Sequence, residues 1–282
     1  MKNSENILVI GGTGKTGRKI VTLLEELGHK VRVGSRAAKP AFDWHQPENW
    51  PKALEGMDKI YISYQPDLAV PGALEAIEHL VNLAKYASIK KVVLLSGKGE
   101  RVAELCEQVV IHSGLDYTIV RASWFNQNFS ENFLLEPILD DFVALPQAEV
   151  KIPFVDTDDI ALVAVKALLE EEHNDQIYQL TGLRDLTFKE AIDQIAKASN
   201  RNITFMPITV EEYSEGMRKA GLPEDFVWLI TYLFTEVLGN PKNSEITNDI
   251  EKVLGRKPKD FSQYVQETVA KGVWNPSVTQ FI

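Results

Sequence analysis

Four glycines fall within seven residues in Gly11-Gly12-Thr13-Gly14-Lys15-Thr16-Gly17. They lie between the β-branched run Ile7-Leu8-Val9-Ile10 and a stretch with Ile20, Leu23, Leu24 and Leu27 at helical spacing. Glycine lets a backbone turn tightly and come into van der Waals contact with a ligand. The start of the following helix offers unpaired N–H groups and a partial positive charge, the chemistry that holds a pyrophosphate. The same glycines can serve as an ordinary strand-to-helix turn. Here the strand before and the helix after supply the context that a dinucleotide-binding pattern requires.

The end of the second strand, Val33-Gly34-Ser35-Arg36, bears on which dinucleotide is bound. NAD binders place an Asp or Glu there to hold the ribose hydroxyls. This chain has Arg36 instead, whose guanidinium can pair with a 2′-phosphate through two N–H groups. Lys15 and Lys39 can approach the same place. One charge-assisted hydrogen bond is worth roughly 1.5–3 kcal/mol, or about tenfold to a hundredfold in favour of NADP. The alternative is a solvated surface arginine. Asp43, beside Trp44, can accept from an adenine amino group or can simply cap a turn.

The elements that position these residues alternate. Val31–Val33, Ala41–Trp44, Lys59–Ser63, Lys91–Leu95 and Tyr117–Val120 read as further short strands, and Gly72–Ala87 and Glu100–His112 as helices. Strands alternating with helices at this spacing predict a doubly wound, mostly parallel α/β sheet of Rossmann type. After Arg121 the rhythm breaks. A helix over 158–170 and a strand over 176–180 continue the sheet. Thr187 and Thr209, each followed three residues later by Glu, have capping-box spacing and start further helices. Residues 226–238 and 261–271 are also expected to be helical. The predicted organisation is an NADP-binding domain over residues 1–122, with 155–182 returning to it, and a smaller, mostly helical substrate-binding part over 123–154 and 183–282.

Composition narrows the function. The net charge of -10 makes the chain a poor nucleic-acid binder without a basic patch, and no Lys/Arg run supplies one. Cys106 is the single cysteine and sits in a helical pattern with Val102 and Val109, so it reads as a small core residue in a reducing compartment. The five His residues are scattered, and no metal site is expected. Met1 to Asn6 lack the apolar core of a signal peptide. The longest apolar stretch, Phe226 to Phe234, is too short to span a membrane. A cytoplasmic location is the expectation.

Taken together, these motifs resemble the NmrA-like branch of the atypical short-chain dehydrogenases/reductases. The resemblance rests on the G-G-T-G-x-T-G turn of Gly11–Gly17, Arg36, and Leu54-Glu55-Gly56-Met57-Asp58. It also rests on Ser113–Arg121 leading into Trp124-Phe125-Asn126-Gln127-Asn128-Phe129, and on Gly255-Arg256-Lys257-Pro258 before Phe261. Phe42-Asp43-Trp44 and the tail Gly272-Val273-Trp274-Asn275 look most like the ergot-alkaloid reductase type. The resemblance implies NADP(H) held by Gly11, Gly12, Thr13, Gly14, Lys15, Thr16, Gly17, Ser35, Arg36, Asp43, Trp44 and Ser96. It places Trp124, Phe125 and Asn128 beside the nicotinamide as substrate contacts, with core packing as the alternative for these aromatics.

Most short-chain dehydrogenases use Ser, Tyr and Lys, the Tyr and Lys four apart on the helix after the Lys91–Leu95 strand, with the Tyr moving a proton. Measured from Ser113-Gly114-Leu115, those positions hold Ala103 and Glu107. The only Tyr with a Lys four residues on is Tyr86, with Lys90, and that pair straddles a helix end. Ser96 stands where the serine would be; a strand-end cap is its other reading. No catalytic residue is assigned. The expected activity is hydride transfer from NADPH to an already activated small electrophile, such as a quinone or an iminium, without a catalytic Tyr. The alternative is a redox sensor that binds NADP(H) without turnover.

Overall fold

The computed structural model describes residues 4–275, so Met1 to Asn3 of the N-terminal reading lie outside the described residues. In chain order the elements begin β1 (Asn6–Ile10), α1 (Gly17–Glu26), β2 (Lys30–Gly34), α2 (Trp50–Leu54), β3 (Lys59–Ile62), α3 (Ala73–Tyr86), β4 (Lys91–Gly97), α4 (Ala103–Ile111) and β5 (Asp116–Ala122). They continue α5 (Asn128–Glu131), α6 (Leu135–Leu139), β6 (Phe142–Leu145), α7 (Thr157–Leu169), β7 (Gln176–Leu180), α8 (Phe188–Ser199) and β8 (Thr204–Pro207). The last are α9 (Val210–Lys219), α10 (Glu224–Tyr232), α11 (Asp249–Leu254) and α12 (Phe261–Ala270).

The chain divides into two compact units. The first comprises Met1–Ala122, Thr157–Leu180 and Asn248–Arg256. Its sheet has six parallel strands in the order β2-β1-β3-β4-β5-β7. Parallel strands covered on both faces read as continuous apolar runs, and β1 and β4 do so. Leu8, Ile10, Ile60, Ile62, Val92 and Leu94 join one core with Ile77, Leu80 and Val81 of α3 and Ala103, Cys106 and Val110 of α4. Each such fully buried aliphatic side chain contributes roughly 1.5–3 kcal/mol. Helices α1 and α7 pack on each other, with α7 also against β3, β4 and β5. The order reverses between β1 and β3, and ligands of open α/β sheets bind beyond the carboxyl ends of strands at such a switch point.

Two expectations require correction here. The segment Ala41–Trp44 is not a strand. Phe42 N–H reaches back to Ser35 O at 2.9 Å, and Asp43 accepts from His45 and Gln46 N–H to close a turn. The ring of Phe42 stacks on Trp50 at 5.4 Å, so burial of the aromatic fixes the segment as a loop. Residues 248–256, predicted to lie in the smaller part, belong instead to the first unit. Asp249 of α11 caps the β7 backbone, accepting Gln179 N–H at 2.8 Å, and Arg256 pairs with the buried Asp159 at 2.6 Å.

The second unit comprises Ser123–Asp156, Thr181–Thr247 and Lys257–Ile282. Both capping boxes form: Thr187 accepts from Glu190 N–H and Thr209 from Glu212 N–H, with each Glu carboxylate returning to its Thr N–H. A two-stranded parallel sheet of β6 and β8, not expected from the sequence, completes the unit. Its strands are four residues each, too short for alternation to stand out. The core is rich in aromatics, with Phe129, Phe154, Phe188 and Phe261 in mutual ring contact. Trp274, buried in this core, donates Nε1–H to Phe129 O at 2.8 Å.

Candidate functional site

The glycine turn closes the switch point. Gly14 N–H donates to Gly11 O at 2.8 Å and Gly11 N–H to Gly34 O at 3.0 Å. Gly11 has φ +74, a conformation that disfavours any side chain. A Cβ at Gly17 would collide with the Gly11 carbonyl, so the first turn of α1 lies directly on the loop. Thr16, buried, shares a hydrogen bond of 2.9 Å with the Tyr61 hydroxyl of β3. Burial raises the Tyr61 phenol, which keeps it neutral. Gly12 is buried, Gly14 and Lys15 are half-buried, and Thr13 is exposed on the turn.

Around the end of β2, Ser35 is half-buried with its carbonyl engaged by Ala38 and Phe42, and Arg36 is exposed. Trp44 packs between Phe42 at 4.9 Å and Tyr64 at 4.5 Å. Asp43 is held in its turn, with its carbonyl also accepting Trp50 Nε1–H at 2.7 Å.

The Ser96 hydroxyl, buried at the end of β4, donates to Glu107 Oε1 at 2.6 Å. Glu107 is fully buried and receives Arg121 at 2.9 Å through Nε and 2.5 Å through Nη2. The position expected to carry lysine thus carries a carboxylate matched by an arginine on β5. Tyr86 is 89% exposed, and Lys90 pairs with Asp58 instead. Cys106 is buried with its thiol toward Leu68 O, and burial pushes that thiol up to about 12, so it is not a thiolate nucleophile.

Two further acids, Asp67 and Glu100, were not read from the sequence as neighbours. Glu100, three residues beyond β4, folds back so closely that a Cβ at Gly97 would fall within its carboxyl group. Asp67, in the loop after β3, is close enough to act on its charge. Asp67 Oδ1 also accepts Ala69 N–H at 2.8 Å. Burial, then the Asp67 charge, raises the Glu100 carboxyl well above the usual carboxylate range, and burial raises Asp67 as well. The only signal in the sequence was Gly97-Lys98-Gly99-Glu100, a glycine-flanked turn ending in an acid.

In the second unit, Trp124 is half-buried and meets Phe234 at 5.3 Å, Phe188 at 5.6 Å and Phe133 at 6.4 Å. Phe125 is half-buried and bridges to Val155. Gln127 and Asn126 donate to the buried Asp156 at 3.1 and 3.4 Å. Asn128 begins α5 and is half-buried. Phe129 is wholly core. Among the described residues, Glu170, Glu172 and His173 lie close enough to share a cation. Glu170 already meets Lys166 at 3.5 Å. No described helix is long and apolar enough to cross a membrane.

A glycine turn on a helix start, at the switch point of a parallel sheet, defines a Rossmann-type dinucleotide-binding protein. The NAD(P)H-binding family matches residues 11–171, and the chain belongs to it. It is 30% identical to "Prestalk A differentiation protein A" of Dictyostelium discoideum, over 93% of this chain and 92% of that protein. It is 29% identical to the NAD(P)H azoreductase of Xenophilus azovorans, over 94% and 98%. The structure of NmrA, a negative transcriptional regulator, in complex with NAD superposes with TM-score 0.71 at 17% identity, covering 96% of this chain and 98% of that one.

Proposed function

We propose that the protein is an NADPH-dependent reductase that transfers hydride to an activated small electrophile without a catalytic tyrosine. The observation that carries this reading is the glycine turn at the switch point together with Arg36, exposed where an NAD binder would hold an acid. Gly11, Gly12, Thr13, Gly14, Lys15, Thr16 and Gly17 would hold the pyrophosphate, and Ser35 and Arg36 the 2′-phosphate. Asp43 and Trp44 would flank the adenine, with Ser96 near the nicotinamide. Trp124, Phe125 and Asn128 are the proposed substrate contacts, and the second unit the proposed substrate-binding part. A quinone or an iminium accepts hydride with little prior protonation, so the chemistry does not require the missing tyrosine. The relative named as an NAD(P)H azoreductase supports a reductase activity.

A second reading, an NADP(H) sensor, is favoured by one observation: the Ser96 hydroxyl is already committed to Glu107. The likeness to a regulator holding NAD fits that reading too. Anaerobic incubation with NADPH and a panel of quinones, cyclic imines and cationic dyes, followed at the NADPH absorbance, separates the two. Consumption of NADPH with one acceptor class supports the reductase. Tight NADPH binding with no consumption across the panel overturns it in favour of the sensor.

A further inference from the structure

His173 lies in the connection between α7 and β7, within the first unit and at the end of the sheet opposite the glycine turn. It is 5% exposed. The connection is fixed against β5: Thr118 Oγ1 donates to His173 O at 2.7 Å, and Asp175 N–H donates to Tyr117 O at 2.7 Å. One ring nitrogen, Nδ1, is 2.8 Å from the Tyr178 hydroxyl of β7. The other, Nε2, is buried and makes no hydrogen bond. It nevertheless faces two carboxylate oxygens, Glu170 Oε2 at 3.3 Å and Glu172 Oε1 at 3.8 Å. One ligand atom from each of the three residues lies within 4.8 Å of the others.

A buried polar atom without a partner calls for a physical reason. If Nδ1–H is given to Tyr178, Nε2 points a lone pair toward two carboxylates, and three electron-rich atoms repel one another unless a cation stands between them. If Nε2 instead carried the proton, its N–H would be buried out of line with either acceptor. The spacing suits the first case. Ligand atoms at about 2.0–2.2 Å from a tetrahedral ion stand roughly 3.4 Å from each other, close to the separations around Nε2. An imidazole among the ligands favours ions of zinc type over magnesium or calcium, which take oxygen alone. The Tyr178 hydroxyl on Nδ1 is the outer partner that fixes tautomer and ring orientation in a metal-bound histidine.

We propose that His173 Nε2, Glu170 and Glu172 bind one divalent ion of zinc type, with water completing its shell. The ion ties the α7–β7 connection to β7, the edge strand of the sheet, and so stabilises the first unit. It lies away from the cofactor turn and takes no part in hydride transfer. Lys166 meets Glu170 Oε2 at 3.5 Å from α7, but a carboxylate accepts at several positions and the lysine leaves others open. Lys91 Nζ meets the backbone carbonyl of Glu170 rather than its carboxylate. In the sequence Glu170-Glu171-Glu172-His173 reads as a charged turn, because only one of the three ligands is a histidine.

The test uses the whole, tag-free protein, dialysed against a chelator, and zinc chloride alone. Calorimetric titration at neutral pH should show one zinc bound per chain, and zinc should raise the melting temperature. His173→Gln should abolish both effects. Tyr178→Phe, which leaves every ligand in place, should weaken zinc by about 10–100-fold, and Glu172→Gln, which removes a ligand, by at least as much. X-ray absorption of the zinc-loaded protein should show nitrogen and oxygen neighbours and no sulfur, which excludes Cys106. Wild type that binds no zinc overturns the proposal, as does a sulfur neighbour. Unchanged zinc affinity in Glu172→Gln overturns it too. That side chain is 75% exposed, so the variant keeps its fold and decides the matter should His173→Gln fail to fold.

Discussion

Ser96 Oγ lies 2.6 Å from Glu107 Oε1, and the same carboxylate is held at 2.9 Å by Arg121 Nε. The single hydroxyl proton of Ser96 is therefore directed into the protein, and toward a ligand the oxygen can only accept. Ser96→Ala removes one hydrogen bond to a charged group, a loss of about 1.5–3 kcal/mol in urea unfolding. Glu107→Leu leaves the Arg121 guanidinium with the longer 3.7 Å contact to Glu104 and should cost about 3–5 kcal/mol. If Glu107→Leu matches wild type in urea, the ion pair contributes nothing to stability.

On the proposed reading, Arg36 sets cofactor preference through its charge. Arg36→Asp should weaken NADPH by at least about tenfold to a hundredfold, since it removes a cation and adds an anion, while NADH affinity changes little. Titration of both cofactors against both proteins checks this. Equal wild-type affinities for NADPH and NADH would contradict it.

Lys91, at the start of β4, is buried with its Nζ donating to Glu170 O at 3.2 Å. Burial first, then nearby Lys59, lowers its pKa to about 8 from the model-compound value of 10.5. Between those values the unfolded chain binds more protons than the folded chain, so folding stability contributed by this group rises with pH across that window. Lys91→Met should flatten the stability profile above pH 8 in urea unfolding at stepped pH. An unchanged slope would assign the pH dependence to other groups.

Trp124 and Phe125 separate packing from binding. Trp124 touches three core rings, so Trp124→Ala should lower stability by roughly 3 kcal/mol and also impair turnover, whereas Trp124→Phe should restore most of the stability. Phe125, which makes no ring contact of this kind among the described residues, should tolerate Ala with a normal melting temperature and a raised KM. Full activity in folded Phe125→Ala would remove it from the substrate contacts.

The residues that by themselves specified this protein act locally. The apolar runs of β1 and β4, the glycines before α1, and the Thr-x-x-Glu boxes of α8 and α9 each encode a backbone conformation within a few residues, and the structure shows all of them. Arg36 lies exposed two residues past β2, a placement that follows directly from the strand before it. Tertiary structure decided what depends on distant partners. Phe42 reads as strand in isolation, but Trp50 draws its ring into the core and the segment becomes a loop. Residues 248–256 read as part of the trailing helices, but Asp249 and Arg256 find their partners on β7 and α7. Asp67 and Glu100 are unremarkable acids thirty-three positions apart in the chain. Only the parallel pairing of β3 with β4 brings the loops after them together, and only burial raises both carboxyls above the usual range.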